Sequence, residues 1–284
     1  MKYKNTPHKV YIGLPVYNGA KTIEKAINSL LAQTFKNFIL VISDNASNDE
    51  TARICKKFLL KDSRIKYIRQ KNNIGASANF KFLLENANTK YFMWLGADDW
   101  ISSEFLEVNM SALQSNSKYV ASTSPNCFEG EENKDDKHVN FSLRGSPKER
   151  FVTLLQNAFF SHGIFYSLMR TKIIKNIKNF DLSYNAADWS VNFFLSSKGE
   201  INRTKKGLLV FGKFGISMGK NPYKMFRNRP IEFFIPLYEF SKYASGLMKN
   251  LKYYEWVYVF VKLFKLNLQA MKSSYIKTIK EFIK

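Results

Sequence analysis

The chain has 284 residues, 45% of them hydrophobic, enough to fill one large domain or a domain with an appendage, so disorder is not the default. A net charge of +21 at pH 7 favours an anionic partner (nucleic acid, lipid headgroups or phosphorylated sugars) without choosing among them, and a bias toward Lys, Asn, Phe and Ile accounts for part of it equally well. The opening MKYKNTPHKV lacks a signal peptide's apolar stretch and no run reaches the roughly twenty apolar residues that span a bilayer, so a cytoplasmic protein is expected; Cys55 and Cys127 stand at no redox or zinc spacing.

In chain order, KVYIGLPV (Lys9 to Val16) reads as a buried strand, followed by a helix on which Ile23, Ile27, Leu30 and Leu31 recur at helical spacing. FILVISD (Phe38 to Asp44) is a second strand. Ser47 and Glu50 then form an S-x-x-E capping pattern, with Asp49 favouring the positive helix end. A short strand from Ile65 to Ile68, a helix from Ala76 to Leu84 and a strand YFMWL (Tyr91 to Leu95) complete an α/β alternation. The expected architecture is an open, mostly parallel sheet with helices on both faces.

Ligands of such sheets bind beyond the carboxyl ends of the strands. There stand Pro15, Tyr17 and Asn18 after the first strand, Asp44 and Asn45 after the second, and Gly96-Ala97-Asp98-Asp99 after the fourth. For Asn18 alone, helix capping is the simpler duty. Two adjacent carboxylates after Met93, Trp94 and Leu95 would repel each other near the core unless a cation lies beside them. Mg²⁺ or Mn²⁺ suits a site of few carboxylates completed by substrate phosphates, and it would assist departure of a nucleotide leaving group. No G-x-G-x-x-G or Walker pattern follows a strand.

The order LPVYNGAKTIEKAINSLLAQTFKNFILVISDNASNDET, NNIGASANF and WLGADDW resembles the nucleotide-binding half of the family 2 glycosyltransferases, which have the GT-A fold. The resemblance covers about the first half of the chain and implies a Rossmann-like catalytic domain over residues 1–221. Within it, 1–127 would bind the nucleotide sugar and 128–221 the acceptor. It also implies that Pro15 and Tyr17 line the nucleobase pocket, that Asp44 accepts a hydrogen bond from the base, commonly uracil, and that Asn73 and Gly75 approach the nucleotide or its sugar. Asn18 and Ala97 fall in the same binding stretches. The family's metal motif, usually Asp-x-Asp, has Gly96 at its first position here, leaving Asp98 as the main ligand and Asp99 either as a second ligand or as a cap for a helix over 102–106. An inverting transfer needs a carboxylate to take the acceptor's proton. Family position assigns that role to Asp188 in SYNAADWSVNFFLSSKG, where Ala187 replaces the usual Glu; an N-cap role for Asp188 is the alternative. Asp181 is the competing carboxylate.

Relatives place an Arg and a His after the strand ending near Phe211; here the segment is VFGKFGISMGKN, with Lys213 available for the diphosphate and no His. His8, His138 and His162 have no assigned chemistry, His162 being structural or near the acceptor. The polar stretch Glu129 to His138 reads as a surface loop, a candidate cover for the acceptor. Residues 222–284 form a basic, amphipathic helical extension whose apolar residues, from Leu247 to Tyr275, would either lie in an anionic membrane interface or pack on the catalytic domain. The implied activity is metal-dependent sugar transfer from a UDP-linked donor to a glycan or lipid-linked acceptor, in the cytoplasm or at the cytoplasmic face of the inner membrane. The alternatives are a nucleotidyltransferase acting on a sugar phosphate and a nucleic-acid binder, the latter lacking any recognisable binding motif.

Overall fold

A computed structural model describes residues 9–134, 139–213 and 221–283. Strands β1 (Val10–Val16) and β2 (Phe38–Asp44) are buried along their whole length, because a parallel strand with helices on both sides has no solvent face. They pair in parallel from Val10 with Phe38 to Val16 with Asp44. β3 (Ile65–Arg69) joins the free side of β2 and β4 (Tyr91–Trp94) that of β1, both in parallel. Helices α1 (Ile23–Leu31), α2 (Thr51–Leu59) and α3 (Ala76–Asn86) make the connections.

Beyond β4 the chain forms β5 (Trp100–Ile101), α4 (Phe105–Ser115), β6 (Tyr119–Thr123), β7 (Asn126–Phe128), α5 (Pro147–Gln156), α6 (His162–Phe165), β8 (Leu168–Arg170) and α7 (Thr171–Ile174). It continues through α8 (Ala187–Lys198), β9 (Glu200–Arg203), β10 (Leu209–Phe211), α9 (Pro222–Met225), α10 (Tyr238–Leu247) and α11 (Tyr253–Ile283). The main sheet runs β3-β2-β1-β4-β8-β6-β9, with β8 antiparallel to both neighbours, and β5-β10-β7 form a small second sheet.

Strand alternation divides the core. Tyr11, Ile39, Val41, Phe92 and Trp94 face one side with residues of α3, α5, α8, α10 and α11; Ile12, Leu14, Leu40, Ile42 and Met93 face the other with α1 and α4. Helix α11, 31 residues long, contributes Val259, Leu263, Leu266 and Ala270 to the first cluster.

Three local expectations are corrected. Helix α2 starts at Thr51 with Glu50 in the cap position and no side-chain cap bond; the Ser47 hydroxyl instead accepts from the Asn18 N–H, and Glu50 pairs with Arg53. Asn18 does not cap α1, which starts at Ile23; it adopts φ 53° and its side-chain oxygen accepts from the Asn48 N–H. No helix follows Asp99 directly, because Trp100 and Ile101 pair with β10 before α4 begins at Phe105. In each case a hydrogen-bond partner on another segment, across the turns beyond β1 and β2 or in β10, overrides the local pattern.

Candidate active site

A cleft of about 1040 Å³ lies at the carboxyl ends of β1, β2 and β4. Pro15, Tyr17, Asn18, Asn73, Gly75, Ala97, Asp98, Asp99 and Asp188 all line it. One end of it is built from two braced loops. The turn after β1 is tied to the entrance of α2: Gly19 N–H donates to the Thr51 hydroxyl at 2.9 Å and Ala20 N–H to Asp49 at 3.0 Å. Across from it, the Asn73 side-chain oxygen accepts from the Asn45 amide at 2.8 Å and from the Gly75 N–H at 2.9 Å, holding the turn into α3. Tyr17 projects from this frame, 49% exposed, as an aromatic face available for stacking.

Asp44 is fully buried beneath these loops and does not line the cleft. One of its oxygens accepts from the Ser47 N–H at 2.8 Å, the other from the Tyr67 hydroxyl at 2.5 Å and Arg69 at 2.8 Å. Burial alone would raise its pKa, but these donors outweigh burial and hold it below the ordinary carboxylate value. Lys213 is exposed and also outside the cleft lining, one residue past Gly212, which is part of it.

The acidic end is centred on Asp99. Its carboxylate accepts the Gly212 N–H at 3.0 Å and a hydrogen bond from the Tyr166 hydroxyl. Burial first, and then the neighbouring Asp98, push its pKa well above the ordinary carboxylate value. A Cβ at Gly96 would lie 2.5 Å from one Asp99 oxygen, so the folded-back Asp99 side chain fills the space a longer residue at position 96 would need. Gly212 is needed for a similar reason, since any Cβ there would collide with the Asp98 carbonyl. Two hard oxygen donors, one buried and held beside the other, fit a divalent cation: like charges so placed need a proton or a metal to coexist. Among the described residues no third His, Cys, Asp or Glu joins them, so a cation held there would take its remaining coordination from a ligand.

Asp188 faces this end from the first turn of α8. It is not the N-cap, because Ala186, at φ 62°, precedes the helix in that position. Its carboxylate lies 3.6 Å from His162 Nδ1, long for a hydrogen bond but within ion-pair reach. Burial pulls the His162 imidazole down, yet Asp188 and the Phe159 backbone prevail and raise its pKa above the usual histidine value. Tyr166 joins the two acidic groups: burial first, then the charges of Asp99, Asp98 and Asp188, hold its phenol protonated. The sequence assigns no role to Tyr166 or Gly212 and leaves His162 either structural or near the acceptor. Asp181 is occupied elsewhere, accepting from the Ser77 hydroxyl and the Ser183 N–H. His8, His138 and residues 214–220 lie outside the described residues.

The model of Glycosyl transferase family 2 matches residues 11–178, more than half of the chain. The chain belongs to this family. Over 225 residues it is 28% identical to a GalNAc(5)-diNAcBac-PP-undecaprenol beta-1,3-glucosyltransferase from Campylobacter jejuni, covering 77% of this chain and 71% of that protein. Three curated relatives that match over shorter stretches are much longer, and the chain spans 14% to 24% of their length. Among solved structures, S. aureus TarS in complex with UDP aligns with 90% of this glycosyltransferase and 70% of that chain, at TM-score 0.62 and 17% identity. A mannosyltransferase from Pyrobaculum calidifontis, in complex with GDP-Man and Mn2+, aligns with 95% of this chain and 78% of its own at TM-score 0.56 and 13% identity. The fold is that of the GT-A glycosyltransferases.

Proposed function

We propose that this glycosyltransferase moves a sugar from a UDP-linked donor to a hydroxyl of a glycan or lipid-linked acceptor, with inversion, and that it does so with Mn²⁺ or Mg²⁺. One observation carries the reading: the acidic pair Asp98-Asp99 and the carboxylate Asp188, 89 positions away from Asp99 along the chain, line one cleft together with Tyr166, whose hydroxyl donates to Asp99. The relative that acts on an undecaprenol-linked saccharide and the neighbour that holds UDP support the acceptor and donor classes.

In this reading Pro15 and Tyr17 receive the uracil ring, Asn18, Asn73, Gly75 and Ala97 contact the nucleotide and its sugar, and Asp44 braces the base pocket from below. Asp98 and Asp99 would hold the cation, which neutralises charge on the departing diphosphate when bound. Lys213, exposed beside Gly212, adds a cation for the same phosphates. Tyr166 and the Gly212 N–H keep Asp99 pointed at the site. Asp188 accepts the proton of the acceptor hydroxyl as its oxygen attacks the anomeric carbon from the face opposite the diphosphate. His162 steadies the Asp188 carboxylate. The protein works in the cytoplasm, peripherally attached to the cytoplasmic face of the inner membrane.

The test is Asp188→Asn. Transfer should fall by at least about 10²-fold, the scale of a lost general base, while UDP-sugar binding followed by thermal shift persists. Undiminished turnover in that variant would remove Asp188 from the mechanism. Release of UDP as the nucleotide product separates this chemistry from nucleotidyl transfer, which releases pyrophosphate.

A further inference from the structure

Helix α11 is apolar on two opposite sides. Val259, Leu263, Leu266 and Ala270 enter the core, and this satisfies the usual demand for one buried stripe. A second stripe remains outside: Phe260, Val261, Phe264, Leu268, Ile276 and Ile279 recur at helical spacing and are each at least 41% exposed. An exposed apolar stripe of this length on a surface helix marks a binding face. The helix does not cross a bilayer, since no described helix is long and apolar enough.

The surroundings of the stripe select its occupant. Lys265 and Lys272 are exposed along its flank, and Tyr253, Tyr254, Tyr258 and Tyr275 add amphipathic rings along the same helix. Lysine beside an apolar stripe with tyrosines matches an anionic headgroup layer, where rings sit at the interface and ammonium groups meet phosphates. A second copy of this chain fits poorly, because each copy carries a formal charge of +21. The opposite side of the same helix reaches the cleft, where Ser273 and Lys277 form part of the wall beside Tyr223. Only the thickness of one helix, roughly 10 Å, therefore separates the stripe from the cleft.

We infer that α11 lies in the interface of an anionic bilayer through this stripe, and that the enzyme thereby takes an acceptor whose saccharide is carried on a lipid of that same bilayer. The docking stands on the helix alone; the acceptor class rests on the proposed function. With the lipid anchored in the membrane, the saccharide has only to pass around this helix to enter the cleft that Ser273, Lys277 and Asp188 line.

The experiment uses the full chain and a triple variant, Phe260→Glu with Phe264→Glu and Leu268→Glu. All three positions are exposed, so an unchanged Tm and unchanged UDP thermal shift should confirm that the fold survives. The native chain should float with phosphatidylglycerol-containing vesicles at low salt, less with neutral vesicles, and be released by high salt; the variant should partition at least tenfold more weakly. A native chain that stays at the bottom of the gradient, or a variant that floats equally well, overturns the docking. A native dimer in light scattering that the variant abolishes assigns the stripe to self-association and overturns it too. On a lipid-linked saccharide in these vesicles the variant should lose at least tenfold in transfer while keeping its rate of donor hydrolysis. Equal transfer by both proteins overturns the acceptor half. Loss of all transfer and hydrolysis in both counts against the proposed function, and flotation still decides the docking.

Discussion

Beneath the cleft floor, Asp44 receives donors from Ser47, Tyr67 and Arg69 while being fully buried. Its folded pKa therefore lies below the ordinary value of 3.8, so its contribution to stability is complete above that pH and is lost as pH falls through the lower folded value. Asp44→Asn keeps the shape but replaces an acceptor by a donor facing donors. The variant should be less stable at pH 7 by about 3 kcal/mol, on the scale of lost charged hydrogen bonds, and calorimetry should show the gap closing below about pH 4. The His162–Asp188 contact calls for a different readout. His162→Ala should reduce kcat roughly tenfold with the donor KM unchanged, since the imidazole lies against Asp188, the proposed base, and His162→Gln should recover part of the loss through its amide N–H. Equal damage to KM would mean that the ring supports the pocket and not the base. At the proposed metal site, Mn²⁺ should raise the Tm of the native chain and leave that of Asp98→Ala unmoved.

Among the elements, the loop after β10 does the most to shape the acidic end with the least side chain. Gly212 lies against the Asp98 carbonyl and donates its N–H to Asp99, so Gly212→Ala must push that loop away. The variant should lose at least about tenfold in turnover while the fold persists, and a crystal structure should show the bond to Asp99 broken; native turnover would mean that the loop is free to shift. This bond spans 113 positions, which explains why the sequence did not disclose it. What was legible followed from one-dimensional rules: β2 begins and ends where the apolar run FILVISD does, and β1 differs by one residue, because strands buried on both faces are continuous in sequence. The rim after those strands was legible for the same reason. The short partners β5, β7 and β10, of two or three residues each, carry no periodicity, and their pairing is set by tertiary contact. Tyr166 and His162 were hidden likewise: they reach Asp99 and Asp188 only because α6 and β8 fold under the cleft.

For the whole molecule, the extension over 222–284 shares its core with the first part of the chain. Leu263 and Leu266 of α11 belong to the same buried cluster as Phe151 of α5 and Phe193 of α8, and Trp189 and Phe193 stack edge-on against Phe240 of α10. Two consequences follow for energetics. Removing one buried leucine from α11 should destabilise the catalytic part and not just a peripheral helix, because the cavity it leaves opens into the layer that carries α8 and hence Asp188. Leu263→Ala is expected to cost about 3 kcal/mol, and each kcal/mol to lower Tm by roughly 2–4 °C in a chain of this size class. Calorimetry should record one transition that moves as a unit, and UDP should shift that same transition upward, since a ligand of the native state stabilises everything that unfolds with its site. A separate early transition for the helices, with the UDP-sensitive one unmoved, would mean that α10 and α11 are an independent unit lying on the catalytic domain. The exposed stripe should also tolerate polar substitution that the core stripe does not: Leu268→Glu should leave Tm nearly unchanged, whereas Leu266→Glu, burying an unpaired carboxylate, should prevent folding.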